Sequence, residues 1–139
     1  HLSIRRQRQM CIRDSLYAHL GASRHAELEQ ISRAMLAHSD LVAGAGRFDT
    51  ELMGRSHGQV LSKGGAEGIQ CLSRIGEGLG VAIKVEDGSR RAKQAVALHL
   101  LRQLEWLTPM SLQELEEQVL ILNPGVHLEV NGSLQFQQS

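Results

Sequence analysis

The stretch that decides the fold reads VAGAGRFDTELM at residues 42–53, LSKGGAEG at residues 61–68 and GLGVAIKVEDGSRRA at residues 78–92. Glycine is concentrated here, and charged residues stand next to glycines. Since an interior glycine costs a helix about 1 kcal/mol relative to alanine, the pattern predicts tight turns and short strands. Lys63 lies between a serine and two glycines. We regard it as a candidate active-site residue, because such turns would position it by backbone geometry.

Apolar periodicity predicts helices and strands on both sides of these turns. Apolar residues recur at helical spacing in some segments and alternate with small or charged residues in others. The predicted elements are helices over residues 23–38, over residues 90–107 and from Ser111 onward, strands over residues 58–62 and 80–86, and a type I′ hairpin over residues 126–136. Ser23, Ser89 and a capping box at Ser111 are the predicted helix starts, and Pro109 is the predicted stop of the long helix.

The composition is that of one globular domain. At 139 residues the chain can bury one ordinary core. Its formal net charge is zero, from 15 basic and 15 acidic residues, which favours neither nucleic acid nor an anionic membrane as a partner. No apolar run reaches the ~20 residues that a membrane helix needs. Cys11 and Cys71 have no metal or redox spacing, so a reducing, cytoplasmic location is the expectation.

The first fifteen residues differ in charge from the rest. They carry four arginines against a single aspartate, within IRRQRQMCIRDS at residues 4–15. A basic arm that binds nucleic acid or anionic lipid is one interpretation. We favour another, in which residues 1–15 are not native, because the run resembles the translated adapter sequence that contaminates the ends of assembled metagenomic sequences.

AGAGRFDTELM, SKGGAEG and GLGVAIKVEDGSRRA, in this order, resemble the C-terminal half of the bacterial L-asparaginase II family. The resemblance runs from about Arg33 to Leu107. It implies a serine-dependent amidohydrolase that converts asparagine, a small-molecule substrate, to aspartate and ammonia without a cofactor. It also implies an α+β fold, an antiparallel sheet covered by helices, that forms part of a serine β-lactamase/glutaminase-like domain. The oligomeric state stays open, and a homo-oligomer is compatible with the sequence.

Lys63 is the catalytic residue that this resemblance implies. In the family the corresponding lysine pairs with a second active-site serine, beside the Ser-x-x-Lys pair that carries the nucleophile. Taken without the resemblance, a lysine after a strand is more often a solvated surface residue. Ser62, Gly64 and Gly65 adjoin Lys63, and we count them as candidates for contacting the substrate or supporting the lysine.

Three charged residues complete the candidate set. Arg47 and Asp49 keep the family's Gly-Arg-aromatic-Asp-Thr pattern. For these two, a local ion pair with Asp49 capping a helix over residues 50–54 is favoured over direct substrate contact. Glu67 follows Lys63 by four residues. It either positions Lys63, lines the pocket or is an exposed turn carboxylate.

The Ser-x-x-Lys pair is absent, since none of Lys63, Lys84 and Lys93 has a serine three residues before it. The resemblance places that pair upstream, together with the Cys-x-x-Lys arrangement through which some members bind zinc, so no metal ligand is predicted here. Cys71 does not match those positions and is predicted to be a buried apolar residue. We therefore predict that residues 16–139 are the C-terminal part of a single asparaginase II-like domain, inactive alone. The alternative is a non-catalytic binding or regulatory module on the same scaffold.

A third interpretation rests on residues 54–58, which fit the Gly-x-Ser-x-Gly pattern around Ser56. A nucleophile elbow needs a buried strand before the serine and a helix after it. Here a helical segment precedes Ser56 and a strand follows. The sequence therefore disfavours an α/β-hydrolase.

Overall fold

The computed structural model describes residues 2–122, 124–125, 129 and 131–132. The elements are α1 (Leu2–Ala22), α2 (Ala26–Ala37), α3 (Ser39–Ala43), α4 (Phe48–Arg55), β1 (Val60–Gly65), β2 (Ile69–Arg74), β3 (Leu79–Lys84), α5 (Arg90–Gln103) and α6 (Pro109–Leu122). The strands form an antiparallel sheet in the order β1-β2-β3. The predicted α+β class is confirmed. The predicted hairpin over residues 126–136 lies outside the described residues, apart from three isolated positions.

The sheet is a meander whose first hairpin carries Lys63. Lys63 pairs with Cys71 across β1 and β2, so it lies within β1 and not after it. The turn between these strands contains Gly68, which has a φ of 72°. A Cβ at this position would lie 2.7 Å from the carbonyl oxygen of Val85, which adds a steric reason for glycine. Strand β2 does not follow from the sequence pattern, because most of its residues are buried and apolar alternation is absent.

The two faces of the sheet belong to different clusters of buried residues. Val60 and Leu72 lie in the larger cluster, which includes side chains from α4, α5 and α6. The neighbouring residue Leu61 lies in a second cluster with Leu20 of α1 and Met53 of α4. Since successive strand residues point to opposite faces, α5 and α6 cover one face and α1 covers the other.

Two helix starts differ in how well the sequence predicted them. Ser89 is the N-cap of α5, as predicted, and its hydroxyl accepts a hydrogen bond from the backbone N–H of Ala92 at 3.3 Å. The prediction of Ser23 as the N-cap of α2 was wrong. The N-cap residue is His25, which makes no side-chain capping bond, and Ser23 has a φ of 50°. The apolar pattern therefore predicted helix α2 correctly but not the turn that precedes it.

The connection between α5 and α6 also corrects the sequence analysis. Helix α5 ends at Gln103 and not at Leu107, since Glu105 has a φ of 54° and turns the chain so that Trp106 is buried. Pro109 begins α6 instead of ending α5. The hydroxyl of Thr108 accepts a hydrogen bond from the N–H of Ser111 at 3.2 Å, so Thr108 has the capping role that was predicted for Ser111.

Helix α1 crosses the predicted boundary at residue 15 and packs closely on the sheet. A Cβ at Gly80 would lie 2.4 Å from the carbonyl oxygen of Asp14. A Cβ at Gly21 would lie 2.3 Å from the hydroxyl of Ser73. Glycine at both positions therefore permits the close approach of helix and sheet. The non-native origin of residues 1–15 stays a prediction.

Candidate active site

Lys63 lies on β1, which is the terminal strand of the described sheet. Its side chain is half-buried, and its ammonium group donates a hydrogen bond to the carbonyl oxygen of Gly64 at 2.7 Å. Strand alternation places Lys63 on the sheet face opposite to that of Ser62 and Gly64. The lysine is therefore held in an extended strand, which fixes its backbone better than a surface turn would.

A buried carboxylate holds both neighbours of Lys63. Asp49 is 7% exposed, and its Oδ1 accepts hydrogen bonds from Ser62 Oγ at 2.5 Å and from Gln70 Nε2 at 2.6 Å. Its Oδ2 accepts a hydrogen bond from the backbone N–H of Gly64 at 2.7 Å. A buried carboxylate is tolerated when several donors surround it. Asp49 thus links the first turn of α4 to the residues before and after Lys63.

This network corrects the local role predicted for Asp49. Helix α4 spans Phe48–Arg55, and its N-cap residue is Arg47, without a side-chain capping bond. Asp49 lies inside the first turn, where a negative charge still suits the helix dipole. Arg47 is exposed, and the described part of the chain contains no ion pair between it and Asp49. The partners of Asp49 are distant in sequence, which is why the local pattern did not predict them.

A surface pocket of about 440 Å³ lies beside β1. Five of the seven residues singled out from the sequence line it, namely Arg47, Asp49, Lys63, Gly64 and Gly65. The sixth, Ser62, is fully buried at 0% exposure and is hydrogen-bonded to Asp49 and Gln70, which both line the pocket. The fold therefore brings together residues from two separate segments, since Asp49 and Gly64 are 15 positions apart in the sequence.

Glu67 lies elsewhere. It is exposed in the turn between β1 and β2, with a φ of 59°. Its carbonyl oxygen accepts a hydrogen bond from Lys84 Nζ. It lines a separate surface cavity that also includes Arg13 and Asp87, whereas the pocket that contains Lys63 does not include it. Of the three roles considered for Glu67, the exposed turn carboxylate is the one that this position fits.

Four polar residues of the pocket were not singled out from the sequence, namely Gln70, Arg90, Lys93 and Gln94. Gln70 was missed together with strand β2. Lys93, in the first turn of α5, donates hydrogen bonds to the carbonyl oxygens of Gly65 at 3.2 Å and Ile69 at 3.0 Å. Partial burial lowers the pKa of the Lys93 ammonium group below its ordinary value. The sequence signal for Lys93 is its position three residues after Arg90, which places the two side chains on one face of a helix.

Ser56 and Cys71 have structural roles. Ser56 is 5% exposed, donates to the carbonyl oxygen of Met53 at 2.9 Å and accepts from the N–H of Val60 at 3.0 Å. It joins the end of α4 to the start of β1. A helix therefore precedes Ser56 and a strand follows it, which is the opposite of the order in a nucleophile elbow. Cys71 is 4% exposed, as predicted, and burial raises the pKa of its thiol.

The described residues do not build a metal site. Within residues 2–122 and the few described positions beyond them, no three His, Cys, Asp or Glu residues are placed to hold a metal ion. Cys71 is instead packed between β1 and β3 in the middle of the sheet. In the same part of the chain, no helix is both long enough and apolar enough to cross a membrane.

The match to a family model places the chain in a family of amidohydrolases. The chain belongs to the L-asparaginase II family, whose sequence model matches residues 10–136. The match extends on both sides beyond residues 33–107, the range over which the sequence motifs resemble the family. No curated protein sequence matches the chain.

Proposed function

We propose that this chain forms the lysine-bearing wall of the active site in an L-asparaginase II-type amidohydrolase that converts asparagine to aspartate and ammonia. The observation that supports the proposal is the position of Lys63. It lies on a terminal strand at a pocket, with both neighbours bonded to Asp49, in a chain that matches the family over residues 10–136.

In the proposed reaction, a serine hydroxyl attacks the side-chain amide carbon of asparagine. The tetrahedral intermediate expels ammonia, and water then hydrolyses the resulting ester to aspartate. The attacking serine would come from a Ser-x-x-Lys pair in an upstream half of the parent protein. Lys63 would accept or return a proton at a second serine, or stabilise the developing negative charge. No step of this scheme needs a cofactor, and the cytoplasmic location stays a prediction.

The finer fold assignment is also a proposal. We infer that the sheet, with α5 and α6 on one face, is part of a serine β-lactamase/glutaminase-like domain. The supporting observation is that Lys63, Gly64 and Gly65 lie on a terminal antiparallel strand beside a pocket. An upstream half would then approach the edge of β1 that faces away from β2, and residues 16–139 would be inactive without it.

The test is asparagine hydrolysis by a longer protein in which the upstream half has been restored from the source genome. We expect Lys63→Ala to lower kcat by about two orders of magnitude or more, with an unchanged circular dichroism spectrum and melting temperature. Lys84→Ala is the matched control, since Lys84 lies on β3 outside the pocket and should leave kcat unchanged.

Lys63→Arg separates the two roles of the lysine. Arginine keeps the positive charge but does not deprotonate near neutral pH. If Lys63 acts only through its charge, Lys63→Arg retains more activity than Lys63→Ala. If Lys63 transfers a proton, both variants are equally impaired. Unchanged kcat in Lys63→Ala, or hydrolysis by the 139-residue chain alone, would contradict the proposal. Asparagine binding without hydrolysis by the longer wild type would instead favour a non-catalytic module.

A further inference from the structure

The pocket beside β1 carries an excess of positive charge. Among the described residues that line it, Arg47, Lys63, Arg90 and Lys93 are basic and Asp49 is the acidic one. The carboxylate of Asp49 is buried and already accepts three hydrogen bonds. It therefore offsets one of the four positive charges and leaves the lining cationic. A lining of this kind attracts a small anion.

Lys93 is the cation that the fold holds most firmly. Two carbonyl oxygens, those of Gly65 and Ile69, accept hydrogen bonds from its ammonium group. An ammonium group has three N–H donors. The described residues provide no third hydrogen-bond partner for Lys93, although the group lines the pocket. One donor is thus left for a molecule inside the pocket.

The backbone next to Lys63 makes room for this ammonium group. A Cβ at Gly64 would lie 3.0 Å from Lys93 Nζ and 3.1 Å from Asp49 Oδ2, so a larger residue at position 64 would crowd both groups. Lys93 is half-buried, and its lowered pKa reflects the loss of hydration. A partly desolvated cation gains more from a bound carboxylate than a fully exposed one does.

We propose that this pocket binds the α-carboxylate of the amino-acid substrate, with Lys93 as the main cation and Arg47 and Arg90 contributing at its rim. The inference rests on the proposed function and deepens it. Asparagine carries one carboxylate, separated by a short carbon chain from the amide that reacts. Anchoring the carboxylate at Lys93 would leave that amide near Lys63, which lines the same pocket. Lys93 is thus a substrate-binding residue, and Lys63 is the residue that faces the chemistry.

The binding test uses the chain itself and the reaction product. Titration calorimetry with L-aspartate should give a binding isotherm, and Lys93→Met should weaken the affinity by about tenfold or more, which corresponds to about 1.4 kcal/mol. Lys84→Met is the matched control and should bind as the wild type does, because Lys84 lies outside this pocket. 3-Aminopropanamide lacks the α-carboxylate and should not bind.

Three results would overturn the inference. They are no aspartate binding by the folded wild type, equal binding by Lys93→Met, or phosphate binding as tight as that of aspartate, which would indicate a general anion site. If Lys93→Met lacks a cooperative thermal transition, the variant Arg90→Ala tests the inference instead, because Arg90 is exposed and its replacement should leave the fold intact. It should weaken binding by about threefold.

The kinetic test uses the longer protein with its upstream half. Lys93→Met should raise the KM for asparagine by about tenfold or more with a smaller change in kcat, whereas Lys63→Ala should lower kcat. A Lys93 that merely fixed the β1–β2 turn would lower kcat and stability without this effect on KM. If the longer wild type does not hydrolyse asparagine, the proposed function fails. The binding of aspartate to the 139-residue chain still decides the inference.

Discussion

One face of the sheet has an apolar end and a polar end, and both are equally buried. At the apolar end, Val60 is fully buried in a cluster with residues of α5 and α6. At the polar end, Gln70 is 1% exposed and bonds to Asp49. Ser62 and Leu72, both 0% exposed, pair with each other between these ends, and Ser62 also bonds to Asp49. The exposed fraction of a side chain therefore does not distinguish the hydrophobic core from the candidate site. Apolar packing supplies stability, whereas a fully bonded polar network mainly specifies geometry.

The largest effect should come from breaking the apolar end. Leu101 is 0% exposed in the larger cluster, so Leu101→Ala removes buried apolar surface and leaves a cavity. We expect a loss of about 2–5 kcal/mol in the free energy of unfolding, measured by urea denaturation. Leu120→Ala is the control, since Leu120 is 50% exposed on α6. A loss below about 1 kcal/mol for Leu101→Ala would mean that α5 does not pack on the sheet as described.

The next effect should come from the polar end. Asp49→Asn keeps the shape of the side chain but turns one acceptor into a donor that faces the hydroxyl of Ser62 or the N–H of Gly64. We expect a loss of about 1–3 kcal/mol in the free energy of unfolding. In the longer protein, kcat should fall as well, because both neighbours of Lys63 lose an anchor.

A double-mutant cycle of Asp49→Asn with Ser62→Ala sharpens this second prediction. The two residues share one hydrogen bond, so their effects on unfolding free energy should not add. Asp40→Asn, at an exposed position in α3, should have little effect. If the effects at positions 49 and 62 are additive, the two residues do not belong to a coupled network.

The smallest effects should come from the helix caps, and they should distinguish the two ends. Ser89→Ala and Thr108→Ala each remove a hydroxyl that accepts a backbone N–H, and each should cost about 1 kcal/mol in thermal or urea unfolding. Ser89 precedes the first turn of α5, which carries Lys93 into the pocket, so only Ser89→Ala should also weaken aspartate binding. Equal binding by both variants would mean that the α5 cap does not position Lys93.

Predictions that depend on neighbouring residues were the successful ones. The sequence predicted the start of α5 at Ser89 and the strand over residues 80–86 in outline, because capping and alternation operate over a few positions. The predicted starts of α2 and α6 were wrong, because the geometry of the turn before each helix decides where that helix begins. Helix α2 begins after His25, and Thr108 caps α6.

The pocket required the contacts between segments. The sequence pattern indicates Arg47, Asp49, Lys63 and the adjoining glycines, but it predicts that Asp49 caps its own helix. It also omitted Lys93, which in the sequence is one charged residue of an amphipathic helix. What joins these residues is the hairpin formed by β1 and the unpredicted β2, and that hairpin closes against the first turns of α4 and α5.

The sequence by itself determined the family, the α+β class and the position of Lys63 among glycines next to a short strand. Those features follow from composition, periodicity and local motifs. Only the tertiary structure decided that Asp49 bonds across to β1 and β2, and that Lys93 meets the backbone beside Lys63. Hydrogen bonds between distant segments depend on how the helices dock on the sheet, and that docking is set by the packing of the whole core rather than by any local pattern.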